Sequence, residues 1–125
     1  MSKQRVLLLD DETAIQKLVS RLFRGMEADL TSVGCVREAL EKIREQTFEL
    51  LIADVRLPDG NGLDVAKEFR LRSPGSAVIV ITGSPEDDTD ERLRDLRPTA
   101  CFLKPFDISE FRKTVGELLG LSAAV

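Results

Sequence analysis

The apolar run Leu50-Leu51-Ile52-Ala53 ends on one carboxylate, Asp54, and a Pro/Gly-rich turn through Leu57, Pro58, Asp59, Gly60, Asn61 and Gly62 follows. Three other apolar runs end on polar groups in the same way: 6–9 on Asp10-Asp11, 77–81 on Thr82, and 100–103 on Lys104. Brought together, three carboxylates repel and raise the pKa of at least one of them unless a cation intervenes. Lys104 alone leaves an excess of negative charge. A hard divalent ion relieves it, and Mg²⁺ suits a shallow site that offers a few carboxylates and keeps several waters for a phosphate to replace. No His or Cys stands at these run ends, which disfavours a soft transition metal. With metal on one side and Lys104 on the other, an incoming phosphoryl group meets positive charge over its oxygens while Asp54 attacks. Aspartate is an established covalent phosphoryl acceptor, and Thr82 can donate a hydrogen bond to a phosphoryl oxygen. Each residue alone has a commonplace explanation. Asp10-Asp11 suits a solvated turn and helix cap, Asp54 a turn acid, Thr82 a β-branched strand end, and Lys104-Pro105 punctuation before a helix. Their joint placement argues for a site.

The elements that must position these residues follow from hydrophobic spacing. The four runs above, with a weaker one at 28–33, are too short for typical helices and are closed by breakers, so they read as strands. Ile15, Leu18, Val19, Leu22, Phe23 and Met26 recur at helical spacing and predict a helix over 12–26. Val36, Ala39, Leu40 and Ile43 mark a second helix closing near Gln46, and Leu63, Ala66 and Phe69 a third, stopped by Ser73-Pro74-Gly75. Residues 85–97 are expected to be helical, although only Leu93 and Leu96 supply large apolar anchors. Asp107 caps a last helix in this reading, with Glu110 as its reciprocal partner; Ile108, Phe111, Val115, Leu118 and Leu119 form the buried face and Gly120 ends it. Strand and helix alternate five times without a linker. That pattern predicts a doubly wound α/β domain over 1–125, its parallel sheet covered on both faces. All strands then run the same way, and Asp10, Asp11, Asp54, Thr82 and Lys104 share one rim at the carboxyl ends.

Composition narrows the alternatives. At 125 residues the chain fits one domain with a real core, and 42% hydrophobic with 32% charged residues argues against disorder. The net charge of −4 gives no footprint for nucleic acid or an anionic membrane. No apolar run reaches the roughly 20 residues that span a bilayer, and no signal peptide precedes the first strand, so a cytoplasmic location is expected. Cys35 and Cys101 stand apart without a zinc-like spacing, and the absence of histidine removes Ser-His and Cys-His catalysis.

The set Asp10-Asp11, Asp54 with Leu57-Pro58 and Gly62, Thr82-Gly83 and Lys104-Pro105-Phe106 resembles the receiver domain of bacterial two-component response regulators over essentially the whole chain. The resemblance implies a five-stranded flavodoxin-like (CheY-like) fold. It implies that Asp54 accepts a phosphoryl group from the phosphohistidine of a sensor histidine kinase or phosphotransfer protein. Asp11, Asp54 and the Arg56 main-chain carbonyl would bind Mg²⁺, with Asp10 acting through water. Thr82 and Lys104 would hold the phosphoryl oxygens and reshape the face formed by helix four, strand five and helix five. A downstream output partner, an output domain absent from this sequence, or a phosphorylation-dependent homodimer would read that face. Two departures stand out. Cys101 occupies the position where the family usually carries an aromatic residue, while Phe102 should face the other side of the strand. Arg97-Pro98-Thr99 replaces the usual Gly-Ala before that strand. The acidic run Glu86, Asp87, Asp88, Asp90, Glu91 suits either a solvated helix start or an altered docking face.

Three other functions compete. A haloacid-dehalogenase-like phosphatase wants Asp-x-Asp after its first strand, which Asp10-Asp11-Glu12-Thr13 does not supply. A flavin or nucleotide carrier wants a phosphate loop after the first strand, and this chain has neither that nor a Trp or Tyr to stack on a flavin. A receiver-like interaction module that takes no phosphate keeps the fold and forgoes the chemistry.

Overall fold

The computed structural model describes residues 3–120. Its five main strands are β1 (Gln4–Leu9), β2 (Ala28–Val33), β3 (Leu50–Asp54), β4 (Ala77–Thr82) and β5 (Ala100–Leu103). All pair in parallel, in the order β2-β1-β3-β4-β5. The helices are α1 (Thr13–Phe23), α2 (Val36–Glu45), α3 (Gly62–Arg72), α4 (Glu91–Leu96) and α5 (Ile108–Leu118). The expected doubly wound α/β architecture is therefore present, and its strand order reverses between β1 and β3.

Strand alternation sorts the core into two layers. Val6, Leu8, Leu50, Ile52, Ile79 and Ile81 face α1 and α5, where Val19, Leu22, Phe23, Phe111 and Val115 meet them. Leu7, Leu9, Leu51, Ala53, Val78 and Val80 face the other way, against Ala39, Ile43, Ala66, Phe69, Leu93 and Leu96 from α2, α3 and α4. Central strands buried on both faces carry no alternating polar residues, which is why the sequence shows continuous apolar runs.

Two helix expectations change. Helix α1 stops at Phe23, short of the expected 26; the chain turns at Gly25, and Met26 packs against the α1/α5 layer from outside the helix. The helix expected over 85–97 is two pieces: a 3₁₀ turn at Pro85–Thr89, then the short α4. Asp90 separates them in an extended conformation, its carboxylate accepting the Arg92 N–H and so starting α4 afresh. At α5 the Asp107 carboxylate accepts N–H groups of Ser109 and Glu110 as expected, but no bond from the Glu110 side chain completes the box.

Candidate functional site at the carboxyl edge of the sheet

Strand register assembles the rim. Leu9 lies opposite Ala53, so the next residues, Asp10 and Asp54, stand side by side at the carboxyl edge. Asp54 is itself opposite Ile81, and Thr82 opposite Leu103, which puts Thr82 and Lys104 on the far flank of Asp54. The Lys104 N–H donates to the Thr82 carbonyl at 2.7 Å, fixing that flank. Lys104 precedes a cis proline, Pro105.

Behind Asp54 the chain turns back at once. A short antiparallel ladder joins Arg56–Leu57 to Gly60–Asn61, and the Gly62 N–H donates to the Val55 carbonyl at 2.8 Å. Gly62 is required by contact: a Cβ there would lie 1.8 Å from the Asp54 carbonyl oxygen. Asp59, at the tip, accepts the N–H groups of Val36 and Arg37 and caps α2, whose own N-cap Cys35 offers no side-chain bond. Those two bonds hold the Asp59 carboxyl below the ordinary aspartate range. One loop thus aims Asp54 and anchors α2.

Asp10 is fully buried and Asp54 is 6% exposed. The Lys104 ammonium lies 2.9 Å from Asp10 Oδ2, 2.8 Å from Glu12 Oε1 and 3.1 Å from Asp54 Oδ2. Asp10 Oδ1 accepts the Glu12 N–H at 2.8 Å, whereas Oδ2 accepts no aligned hydrogen bond despite its contact with Lys104. Burial raises the pKa of both acids; Lys104 pulls each back only in part, and the Asp10 charge adds to the rise at Asp54. Burial also lowers Lys104, but the adjoining carboxylates of Glu12, Asp10 and Asp54 outweigh it and hold the ammonium above the usual lysine value. The rim therefore favours the charged form of Lys104. One positive charge faces three negative ones.

Carboxylate oxygens of Asp10, Glu12 and Asp54 lie within 4.8 Å of one another, close enough to share a cation. Glu12 is the unforeseen member. Asp11 is exposed and stands outside that trio, although the sequence pairs it with Asp10. Its neighbour in sequence, Glu12, is the one that meets Lys104. An open cleft of about 400 Å³ covers Asp54, lined also by Glu12, Arg56, Gly83, Ser84, Glu86 and Lys104.

Thr82 is buried at the expected place, but its hydroxyl makes no hydrogen bond to Asp54. Its acceptors are the carboxylate of Asp87 and the Ser84 carbonyl at 3.0 Å, and the Ser84 N–H donates to it at 3.1 Å. Asp87 is 5% exposed, and its second oxygen takes a 2.9 Å ion pair from the Arg56 guanidinium. The acidic run before α4 is therefore not uniformly solvated: Asp87 is turned inward. Nothing in the spacing of that run separated Asp87 from its acidic neighbours. Cys101 is exposed; burial of its sulfur, then the charges of Asp88 and Asp87, push its pKa up. Phe102 faces the α1/α5 layer as expected, its ring 5.9 Å from Phe106 and 5.2 Å from Phe111 between centroids.

A doubly wound sheet in this order, with acids, a hydroxyl and an ammonium along the carboxyl edge, defines the class of flavodoxin-like α/β domains. The family model of the response regulator receiver domain matches residues 6–116, and the chain belongs to that family. It is 34% identical over 121 residues to the response regulator protein PilR of Pseudomonas aeruginosa, covering 97% of this chain but 27% of PilR. It is 25% identical to the sporulation initiation phosphotransferase F of Bacillus subtilis, covering 98% of this chain and 99% of that protein. The chain thus spans about a quarter of one relative and nearly all of the other. Among solved structures, a CheY-like receiver domain protein from Methanospirillum hungatei superposes with a TM-score of 0.86 at 24% identity, covering 95% of each chain. The response regulator TrrA of Thermotoga maritima, solved in complex with Mg²⁺ and a beryllium fluoride, gives 0.81 at 25% identity over 92% of this chain and 98% of that one. The chain is a receiver domain of the two-component phosphorelay kind.

Proposed function

We propose that Asp54 is the phosphoacceptor, and that the donor is a phosphohistidine on a sensor histidine kinase or phosphotransfer protein. The observation that carries this is the Asp54 carboxylate at the end of β3, 6% exposed at the floor of an open cleft, with the Lys104 ammonium 3.1 Å away. A carboxylate oxygen of Asp54 attacks phosphorus; the new P–O bond forms as the donor's P–N bond breaks, and the departing imidazole nitrogen keeps that pair and takes a proton. Lys104 neutralises charge on the equatorial oxygens. Hydrolysis of the acyl phosphate by water resets the site, so the domain acts on itself and turns over no separate substrate.

The residues present fit Mg²⁺. The rim has three carboxylates within 4.8 Å, a single cation against them, and a buried Asp10 oxygen with no aligned donor. Asp11, Asp54 and the Arg56 main-chain carbonyl are the proposed direct ligands, with Asp10 acting through water. Held there, the ion would supply charge neutralisation for the phosphoryl transfer. A cytoplasmic setting goes with such a donor. The signal would leave through the face of α4, β5 and α5, toward an output partner, an output domain outside this sequence, or a second phosphorylated copy.

Incubation with acetyl phosphate and Mg²⁺ followed by intact-mass measurement tests the reading. Wild-type protein should gain the mass of one phosphoryl group, and Asp54→Asn should not, because an amide forms no acyl phosphate. A gain that survives Asp54→Asn moves the acceptor elsewhere. No gain in the wild type leaves a receiver-like interaction module.

A further inference from the structure

We infer that Asp87 is a positioning residue: together with Arg56 it holds the Thr82 hydroxyl away from the phosphoacceptor, and a phosphoryl group on Asp54 must displace it. The inference rests on the proposed phosphorylation of Asp54. A threonine hydroxyl has one proton to give. Two acceptors lie in its reach, the Asp87 carboxylate and the Ser84 carbonyl at 3.0 Å, and the charged carboxylate is the stronger of the two, while the Ser84 N–H takes a lone pair of the same oxygen. Thr82 cannot donate to a phosphoryl oxygen and to Asp87 at once.

Asp87 is held from two sides, by Thr82 on one carboxylate oxygen and by Arg56 on the other. Arg56 also lines the cleft over Asp54, two residues along the chain, with 70% of its side chain exposed. A phosphoryl group at Asp54 attracts both partners of Asp87, since a dianion with three oxygens binds a guanidinium better than a single carboxylate oxygen does. Stripped of both, a carboxylate that is 5% exposed faces an uncompensated desolvation cost and leaves for water. It carries the 3₁₀ turn Pro85–Thr89 with it, along with the start of α4 that follows at Asp90. The device needs no aromatic side chain at the Cys101 position. Coupling from the site to α4 would run through the exchange of a carboxylate for a phosphoryl group on one hydroxyl.

The test uses beryllofluoride, a phosphoryl mimic, titrated at fixed Mg²⁺ and followed by fluorine NMR. Asp87→Asn, nearly equal in shape, should bind it about threefold to tenfold more tightly than wild type, because a neutral acceptor competes less well for the hydroxyl. Glu86→Gln removes a charge from the same cleft without touching Thr82 and should change affinity far less. In a Thr82→Ala background the gain from Asp87→Asn should vanish, and Thr82→Ser should restore it. A merely structural role for Asp87 would not depend on that hydroxyl. A gain that persists in Thr82→Ala, or an equal gain from Glu86→Gln, reduces the effect to general repulsion and overturns the inference. Amide hydrogen exchange in the wild type gives a reading that needs no variant: beryllofluoride should speed exchange across 84–90, and unchanged or slower exchange there overturns the inference alone. Failure of the wild type to bind beryllofluoride overturns the phosphoacceptor reading, and this inference with it.

Discussion

Asp10 and Asp54 are two buried acids sharing one ammonium, and the rim has more negative charge than Lys104 can settle. Both have folded-state pKa values raised chiefly by burial. Their contribution to stability is therefore complete below the unfolded value and is lost as pH rises through the higher folded value, where both charges must be held together. Asp54→Asn removes one of them. In chelator at about pH 7 the variant should be more stable than wild type by on the order of 1 kcal/mol, read from urea denaturation. The gap should close as pH falls toward the ordinary carboxylate range near ~4, because wild-type Asp54 then takes up its proton. A variant less stable at neutral pH would show that pairing with Lys104 outweighs the repulsion. The same residues mark what the sequence concealed. Asp10, Asp54, Thr82 and Lys104 were readable because each closes an apolar strand and the strands are parallel. Glu12 and Asp87 were not, since which acid of a run turns inward depends on side-chain reach and on a buried donor supplied by another segment.

Helix α4 shows where periodicity fails. Strands β1, β3 and β4 were legible as unbroken apolar runs, and α2 and α5 as full stripes, since burial on both faces of the sheet leaves a strong pattern. Between Thr82 and Ala100 only Leu93 and Leu96 are buried large apolar residues, so hydrogen bonds of Asp87 and Asp90 decide the path instead. At the end of α4, Arg97 takes a left-handed conformation, φ 49°, where a glycine fits without strain. Arg70 from α3 holds the strained corner in place, donating to the Leu96 carbonyl at 2.9 Å and to Thr99 Oγ1 at 3.3 Å. Arg97→Gly should raise stability by about 0.5–1 kcal/mol, the relief of left-handed strain less the extra chain entropy of glycine, measured by urea denaturation. Destabilisation by that change would mean that the Arg97 side chain, and not the backbone turn, secures the corner.

At the scale of the molecule, the rim is where segments remote in sequence are joined. Asp10 closes β1, Asp54 closes β3, Lys104 follows β5, and one ammonium touches acids from two of those segments besides its own. A ligand that binds only this assembled edge stabilises the whole fold by mass action. Mg²⁺ at about 100 times its dissociation constant should add roughly 2.7 kcal/mol, seen as a rise in melting temperature that chelation reverses. The variants tell the ligands apart. Asp11→Ala should remove most of the increment if Asp11, exposed beside the rim, serves the ion as a direct ligand. Glu12→Ala should leave most of it, because the structure engages Glu12 with Lys104 and not with the acceptor. The opposite pattern, with Glu12 needed and Asp11 dispensable, would assign the ion to the Asp10, Glu12 and Asp54 oxygens already gathered within 4.8 Å.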